Sequence, residues 1–230
     1  MITGVSGAGK SSLAKFILDD FLTLPANSSL FKRVLHIDQS PIGRTPKSNP
    51  ATYTGLSDHV RDLFAATTGA QQAGFKKGQF SFVIKGGRCE AEVLDLSVSE
   101  AHQFFEGEKK ITAFTGILLE LGLGYLKLGQ PSTTLSGGEA QRVKLATELG
   151  KSSTGKILYL LDEPTTGLHM ADVEILITAL RKLVEKGHTL LTIEHHSEFI
   201  RNADWIIDLG PGSGKEGGAL VFEGTVSELV

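Results

Sequence analysis

Gly4-Val5-Ser6-Gly7-Ala8-Gly9-Lys10-Ser11 matches G-x-x-x-x-G-K-[ST] at every fixed position, and the reading of this stretch decides the fold. In such a loop the glycines let backbone N–H groups turn inward around a β-phosphate. Lys10 then places a cation between the β- and γ-phosphates, and the Ser11 hydroxyl is a candidate Mg2+ ligand. The motif demands a strand running in and a helix running out. Met1-Ile2-Thr3 reads as the stub of a strand, and Ser12 to Phe21 as a helix with Leu13, Phe16 and Ile17 on one face. That context favours a phosphate loop over a Gly-rich turn holding an incidental lysine. A buried strand normally has about five or six residues, and three precede this loop, so the chain reads as cut on its N-terminal side, a fragment of something longer.

Outward from the loop, the pattern is that of an α/β protein with a parallel or mixed sheet. Arg33 to Asp38 reads as a strand, and the Pro, Gly, Ser and Asn-rich stretch Ser40 to Pro50 as loop. Ser57 to Thr67 has helical periodicity and Gln79 to Lys85 alternates like a strand. Ser97 to Phe105 and Ile111 to Leu121 read as two more helices, a helical insertion in the α/β core. Ser136 to Leu149 (helix), Lys156 to Leu161 (strand), Asp172 to Lys186 (helix) and Thr189 to Glu194 (strand) then favour parallel pairing with right-handed crossovers. Trp205 to Leu209 and Ala219 to Phe222 read as two short, paired strands. The expected organisation is a core of residues 1–45 and 136–230, interrupted by a helical insertion over 46–135.

Composition narrows the class. With 230 residues, 40% apolar and 21% charged, the chain has the make-up of a globular protein, not of a disordered or collagen-like one. No apolar run is long enough to span a bilayer, and no leader precedes the loop, so a cytoplasmic home is expected. One cysteine makes no internal disulfide and cannot alone supply a zinc site. The net charge of −3 says nothing about nucleic acid, since it is a sum in which a local basic patch survives.

Two further motifs carry chemistry. Ile157-Leu158-Tyr159-Leu160-Leu161-Asp162-Glu163 is a buried strand closed by two acids where turn residues are usual. Asp162 is the candidate for the Mg2+ shell, and Glu163 for orienting and deprotonating an attacking water; the plainer reading is a solvated strand end. Leu135-Ser136-Gly137-Gly138-Glu139 opens a helix with a hydroxyl and unpaired N–H groups, which makes a second anion site.

That last stretch resembles the signature of ABC ATPases. The resemblance extends to Gln39 after a strand, to Asp162-Glu163, to the turn Thr166-Gly167-Leu168-His169, and to His195 after a strand. In that superfamily nucleotide is held between the phosphate loop of one unit and the signature of another. A second ATPase unit is therefore implied, either a missing N-terminal half or a second copy. Within the superfamily, His36 to Gly55, Gly86-Gly87-Arg88-Cys89-Glu90-Ala91, Leu126 to Gln130 and Asp204 to Pro211 are similar to the C-terminal ATPase half of the UvrA family. That family supplies the damage sensor of the bacterial nucleotide excision repair excinuclease, and the match covers nearly the whole chain.

The resemblance implies an ATP-dependent DNA-damage recognition protein, not itself the nuclease. Its implied partners are double-stranded DNA and UvrB, the next component of the excinuclease, with no membrane. It implies ATP and Mg2+ as cofactors. Gly4, Ser6, Gly7, Gly9, Lys10, Ser11 and Ser12 would bind nucleotide, Ser136, Gly137 and Gly138 the opposite nucleotide, Ser11, Gln39 and Asp162 the metal, and Glu163, His195 and Gln39 would act in hydrolysis.

The departure from the family pattern is at residues 89–92. There the family runs into a second cysteine and a four-cysteine zinc module, whereas here Ala91 passes directly to Glu92-Val93-Leu94-Asp95. Either the module is deleted or a segment is left out of the chain. Cys89 is a stranded ligand or a plain buried thiol, and no zinc is expected. Arg44, Lys47, Lys76, Lys77, Lys85 and Arg88 form either a basic face for phosphate contacts or a scatter of surface lysines and arginines. Phe75, Phe80 and Phe82 are spaced like core residues. Two other functions fit the motifs: a UvrA-like drug-resistance ATPase, and the nucleotide-binding component of an ABC transporter, against which the Ser40 to Gly55 stretch counts.

Overall fold

The computed structural model describes residues 1–25, 27, 29–43, 45, 47–81, 90–151 and 155–229, the side chains of 90–92 excepted. Arg44, Phe82, Lys85, Arg88 and Cys89 lie outside the described residues, as does most of the strand expected over Gln79 to Lys85. The chain divides into two compact units, one of Met1–Asp38 with Ser153–Val230 and one of Gln39–Ser152.

The first unit is built on a six-stranded sheet. Its strands are β1 (Ile2–Gly4), β2 (Arg33–Ile37), β3 (Ile157–Asp162), β4 (Thr189–Ile193), β5 (Ile206–Gly210) and β6 (Ala219–Gly224), in the order β2-β3-β4-β1-β5-β6. All pair in parallel except β5 with β6, which are antiparallel with a register shift between Asp208 and Leu209. The sheet is therefore mixed, with β1 near its middle. β3 is apolar without alternation because it is covered on both faces: Ile157 to Leu161 are all buried. β2, at an edge, buries only Ile37. Helix Met170–Glu185 carries Val173, Leu176, Ile177, Leu180 and Leu183 on one buried stripe. The phosphate loop rests on a cluster of Ile2, Ala8, Ala14, Leu160, Ile193 and Leu209, so the loop is anchored to the rigid centre of this unit.

The second unit is helical, with helices Pro50–Tyr53, Leu56–Ala65, Thr68–Gln72, Glu90–Asp95, Val98–Phe104, Lys109–Glu120 and Gly137–Leu149. Leu56, Val60, Val98, Ala101, Ile111, Leu118, Leu121 and Val143 are buried in it. Helix Gly137–Leu149 belongs here, where the sequence reading set it with the core. Arg142 donates to Leu121 O at 3.4 Å, and a Cβ at Gly150 would meet the Phe114 ring at 2.9 Å. The junction of residues 91 and 92 falls inside helix Glu90–Asp95.

One expected element differs over the residues described. Lys77–Phe80 is a 3-10 turn and not the start of a strand. The Gln79 side chain accepts from Lys76 N at 2.6 Å, and Phe80 stacks on Phe64 at 5.9 Å while meeting Phe75 edge-on at 6.3 Å. The apolar alternation thus serves an aromatic cluster. Among the described residues no helix is long and apolar enough to cross a membrane.

Candidate functional site

β1 ends at Gly4, and the next turn is made possible by left-handed backbone at Gly4 (φ 132°), Gly7 (φ 79°) and Gly9 (φ 92°). Gly9 also caps helix Lys10–Asp19 without offering a side chain. The loop is braced from behind. Gly214 N donates to Gly7 O at 3.2 Å and Gly218 N to Ala8 O at 3.0 Å. Two loop carbonyls are therefore taken up by the segment Gly212 to Gly218. A Cβ at Gly7 would lie 3.0 Å from Ser213 Cβ, and one at Gly217 3.1 Å from Ala8 Cα. The second glycine-rich segment is thus part of the cradle, which sequence reasoning missed although its glycine density signals it.

The Lys10 ammonium donates to Gly4 O at 2.9 Å and Val5 O at 3.0 Å, so it lies over the carbonyls of its own loop. Ser6, Ser11 and Ser12 are exposed. Two strands away, β3 ends in Asp162, in register with Ile193 of β4, which is in turn in register with Ile2 of β1. The three strand ends therefore form one rim. Burial first, then the neighbouring Glu163 carboxylate, push the Asp162 carboxyl above the ordinary value; His36 and Lys10 pull it back and Asp38 adds to the rise. A carboxylate oxygen at this rim suits a hard cation, since Mg2+ is commonly held by one or two carboxylates with substrate phosphates and waters. Among the described residues there is no cluster of three or more His, Cys, Asp or Glu to hold a metal on its own.

Glu163 follows with φ 42°, left-handed backbone in a non-glycine residue. Its N–H donates to Ile193 O at 2.9 Å, its carbonyl accepts from Thr166 N at 3.0 Å, and its side chain is exposed. His195, just past β4, is also exposed. Glu194, just before His195 in the chain, has no exposed surface. Its carboxylate accepts from Thr165 N at 2.9 Å and from the Thr165 hydroxyl on one oxygen, and from His195 N at 2.8 Å and His196 N at 3.1 Å on the other. The signal for it was the one that singled out Asp162, an acid closing a buried strand.

The remaining sequence-derived candidates lie on the helical unit and meet there. Ser136 caps helix Gly137–Leu149 in a capping box, its hydroxyl accepting from Glu139 N at 3.3 Å while the Glu139 carboxylate accepts from Ser136 N at 2.7 Å. Tyr125 donates its hydroxyl to the other Glu139 oxygen at 2.6 Å. No feature of the sequence marks Tyr125. A Cβ on Gly137 would meet Gln39 Oε1 at 2.9 Å, so Gln39 lies against the signature only because position 137 has no side chain. The first N–H groups of the helix, Gly137 and Gly138 among them, have no partner within the helix.

Of the basic residues, Lys77 pairs with Asp62 at 2.9 Å and Asp58 at 3.6 Å, while Lys47 and Lys76 are exposed.

The ABC transporter family model matches residues 1–166. UvrABC system protein A of Thermus thermophilus is 44% identical over 286 residues, covering 99% of this chain and 30% of the relative. That of Bacillus subtilis is 45% identical over the same length, again covering 99% of this chain and 30% of the relative. Since this chain has 230 residues, an alignment of 286 leaves at least 56 positions of the relatives without a counterpart. The chain spans about a third of these relatives' length. The crystal structure of UvrA2 from Deinococcus radiodurans superposes with a TM-score of 0.88 at 46% identity, covering 97% of this chain and 34% of that one. The ATP-binding subunit of an ABC transporter superposes at 0.56 with 18% identity, covering 100% of this chain and 80% of that one, which shows the fold alone. The family match over most of the length places the chain in the ABC family of ATPases, and nearly all of it is similar to about a third of the UvrA-type proteins.

Proposed function

We propose that this chain is the ATP-hydrolysing module of a UvrA-like DNA-repair protein, in which nucleotide turnover gates DNA binding. The observation that carries the hydrolytic part is the shared rim at the ends of β1, β3 and β4, which gathers Lys10, Asp162, Glu163 and His195. The DNA-repair part is supported by the 44–45% identity to UvrABC system protein A.

The loop amides between Gly4 and Ser12 form the cradle for the phosphates, and Lys10 leaves its two carbonyls to place its ammonium on them. Ser11 and Asp162 would hold Mg2+; when bound, the ion would neutralise phosphate charge and polarise the phosphorus–oxygen bonds. Glu163 orients the attacking water and takes its proton. His195 contacts the terminal phosphate. On the helical unit, Ser136 and the amides of Gly137 and Gly138 would bind the nucleotide of a second ATPase unit. With one cysteine, the chain offers no four-thiolate zinc site.

The roles are separable. Lys10→Ala is expected to weaken ATP binding about 30- to 100-fold, the worth of a charge-assisted contact to phosphate. Glu163→Gln should bind within about threefold of wild type yet lose about 100-fold or more in kcat. Titration with a fluorescent nucleotide and a phosphate-release assay decide it, and equal loss of affinity in both variants refutes the assignment. Turnover that rises with lesion-bearing duplex over intact duplex would support the DNA-repair reading; indifference to DNA would refute it.

A further inference from the structure

We infer that Glu194 is a positioning residue for hydrolysis, the clamp that fixes the segment after Glu163 and the segment carrying His195 to Ile2 of β1. The inference rests on the reading of the rim as an ATPase site.

A carboxylate with no exposed surface is costly to bury unless its oxygens are fully engaged. At Glu194 the engagement is complete and directional, because each oxygen receives two donors from one segment. One oxygen holds the backbone and hydroxyl of Thr165, two residues beyond Glu163. The other holds the amides of His195 and His196. The residue's own amide donates to Ile2 O of β1 at 3.0 Å, two residues before the phosphate loop begins. One side chain and its backbone thus touch three separate stretches of the rim.

An apolar side chain could fill the same space but could not bind four donors. Neither could an amide: glutamine would turn an NH2 group toward one donor pair, so that either Thr165 or His195 and His196 would be released. Displacing a catalytic group by about 1 Å costs up to about 100-fold in rate. Binding of phosphates by the loop amides and Lys10 does not pass through Glu194, so the loss should appear in kcat.

Wild type, Glu163→Gln and Glu194→Gln are compared by steady-state ATP hydrolysis and by amide hydrogen exchange. Glu194→Gln is expected to lower kcat at least tenfold, to leave KM within about threefold, and to speed exchange of the amides at Thr165, His195 and His196. If kcat stays within about twofold of wild type, or kcat and KM fall with exchange rising throughout the chain, the inference is overturned while the ATPase reading stands. If wild type shows no turnover that Glu163→Gln abolishes, the ATPase reading falls and takes the inference with it. Should Glu194→Gln not fold, Thr165→Val removes one of the four donors at constant volume. A kcat about threefold down at unchanged KM supports the clamp, and an unchanged kcat overturns it.

Discussion

At the scale of single residues, glycines do different jobs that look alike in the sequence. Gly4 and Gly187 both sit at positive φ, 132° and 85°. Gly4 is in register with Leu209 of β5, and a Cβ there would drive into the Leu209 carbonyl; Gly187 ends helix Met170–Glu185 with nothing within 4 Å. Gly187→Ala should therefore cost only the strain of left-handed backbone, about 1 kcal/mol. Gly4→Ala adds steric overlap with backbone, on the order of 3 kcal/mol in all. Thermal melts should show Gly187→Ala down by about 2–4 °C and Gly4→Ala by about 6–12 °C. Equal shifts would mean that the first strand pairs more loosely with β5 than its register indicates. Glu163 is the contrary case, a side chain held at φ 42°. Its unfavourable backbone persists because Ile193 O fixes its amide and Thr166 closes its turn.

At the scale of the element, the signature helix shows how a cap becomes an electrostatic unit. Burial works to raise the Glu139 carboxyl, but hydrogen bonds from Tyr125 and Ser136 and the charge of Arg142 outweigh it and hold it below its ordinary 4.5. Tyr125 is pushed up to about 12, first by burial and then by the same Glu139 contact. A carboxyl lowered in the folded state contributes stability that is present above its unfolded value and is lost as pH falls through its folded one. Tyr125→Phe removes one donor to the charged form. It should lower stability at neutral pH by about 1 kcal/mol after allowance for solvent screening, or about 2–4 °C in Tm. The gap between variant and wild type should narrow as the pH falls from neutral through the folded-state value of Glu139, which lies below its ordinary 4.5. A gap independent of pH would assign Tyr125 to packing alone.

This scale also separates what the sequence displayed from what it hid. Periodicity displayed β3, helix Met170–Glu185 and the β5–β6 pair, because each is covered in a regular way. It misled at Gln79, where apolar spacing answered to a cluster of three phenylalanines, Phe80 stacked on Phe64 and edge-on to Phe75. Motif spacing displayed Lys10, Asp162 and Ser136, whose neighbours in sequence are their neighbours in function. The reach of Glu194 to Thr165 depends on the pairing of β3 with β4, and that of Gly212 to Gly218 to the phosphate loop on the pairing of β1 with β5, so neither contact is visible along the chain.

At the scale of the whole molecule, the two sets of candidate residues lie on different units: Lys10, Asp162, Glu163 and His195 on one, Gln39 and Ser136 to Gly138 on the other. The resemblance to ABC ATPases implies that the signature of one unit serves the phosphate loop of another, which is testable by mixing. Lys10→Ala spoils the loop and spares the signature; Ser136→Arg does the reverse. Each variant alone should be inactive, since every paired site would hold one defect. In a mixed pair both defects fall in one site and the other is intact. Random pairing at equal amounts makes half of the dimers mixed, each with one working site of two, so the mixture should recover about a quarter of wild-type hydrolysis. The recovery should also depend on total concentration, as dimer formation does. No recovery from the mixture, with wild type active at concentrations where it is monomeric, would show that a second copy is not the complementing unit. That outcome would move the search for the opposing signature to the two thirds of the UvrA-type relatives that this chain does not span.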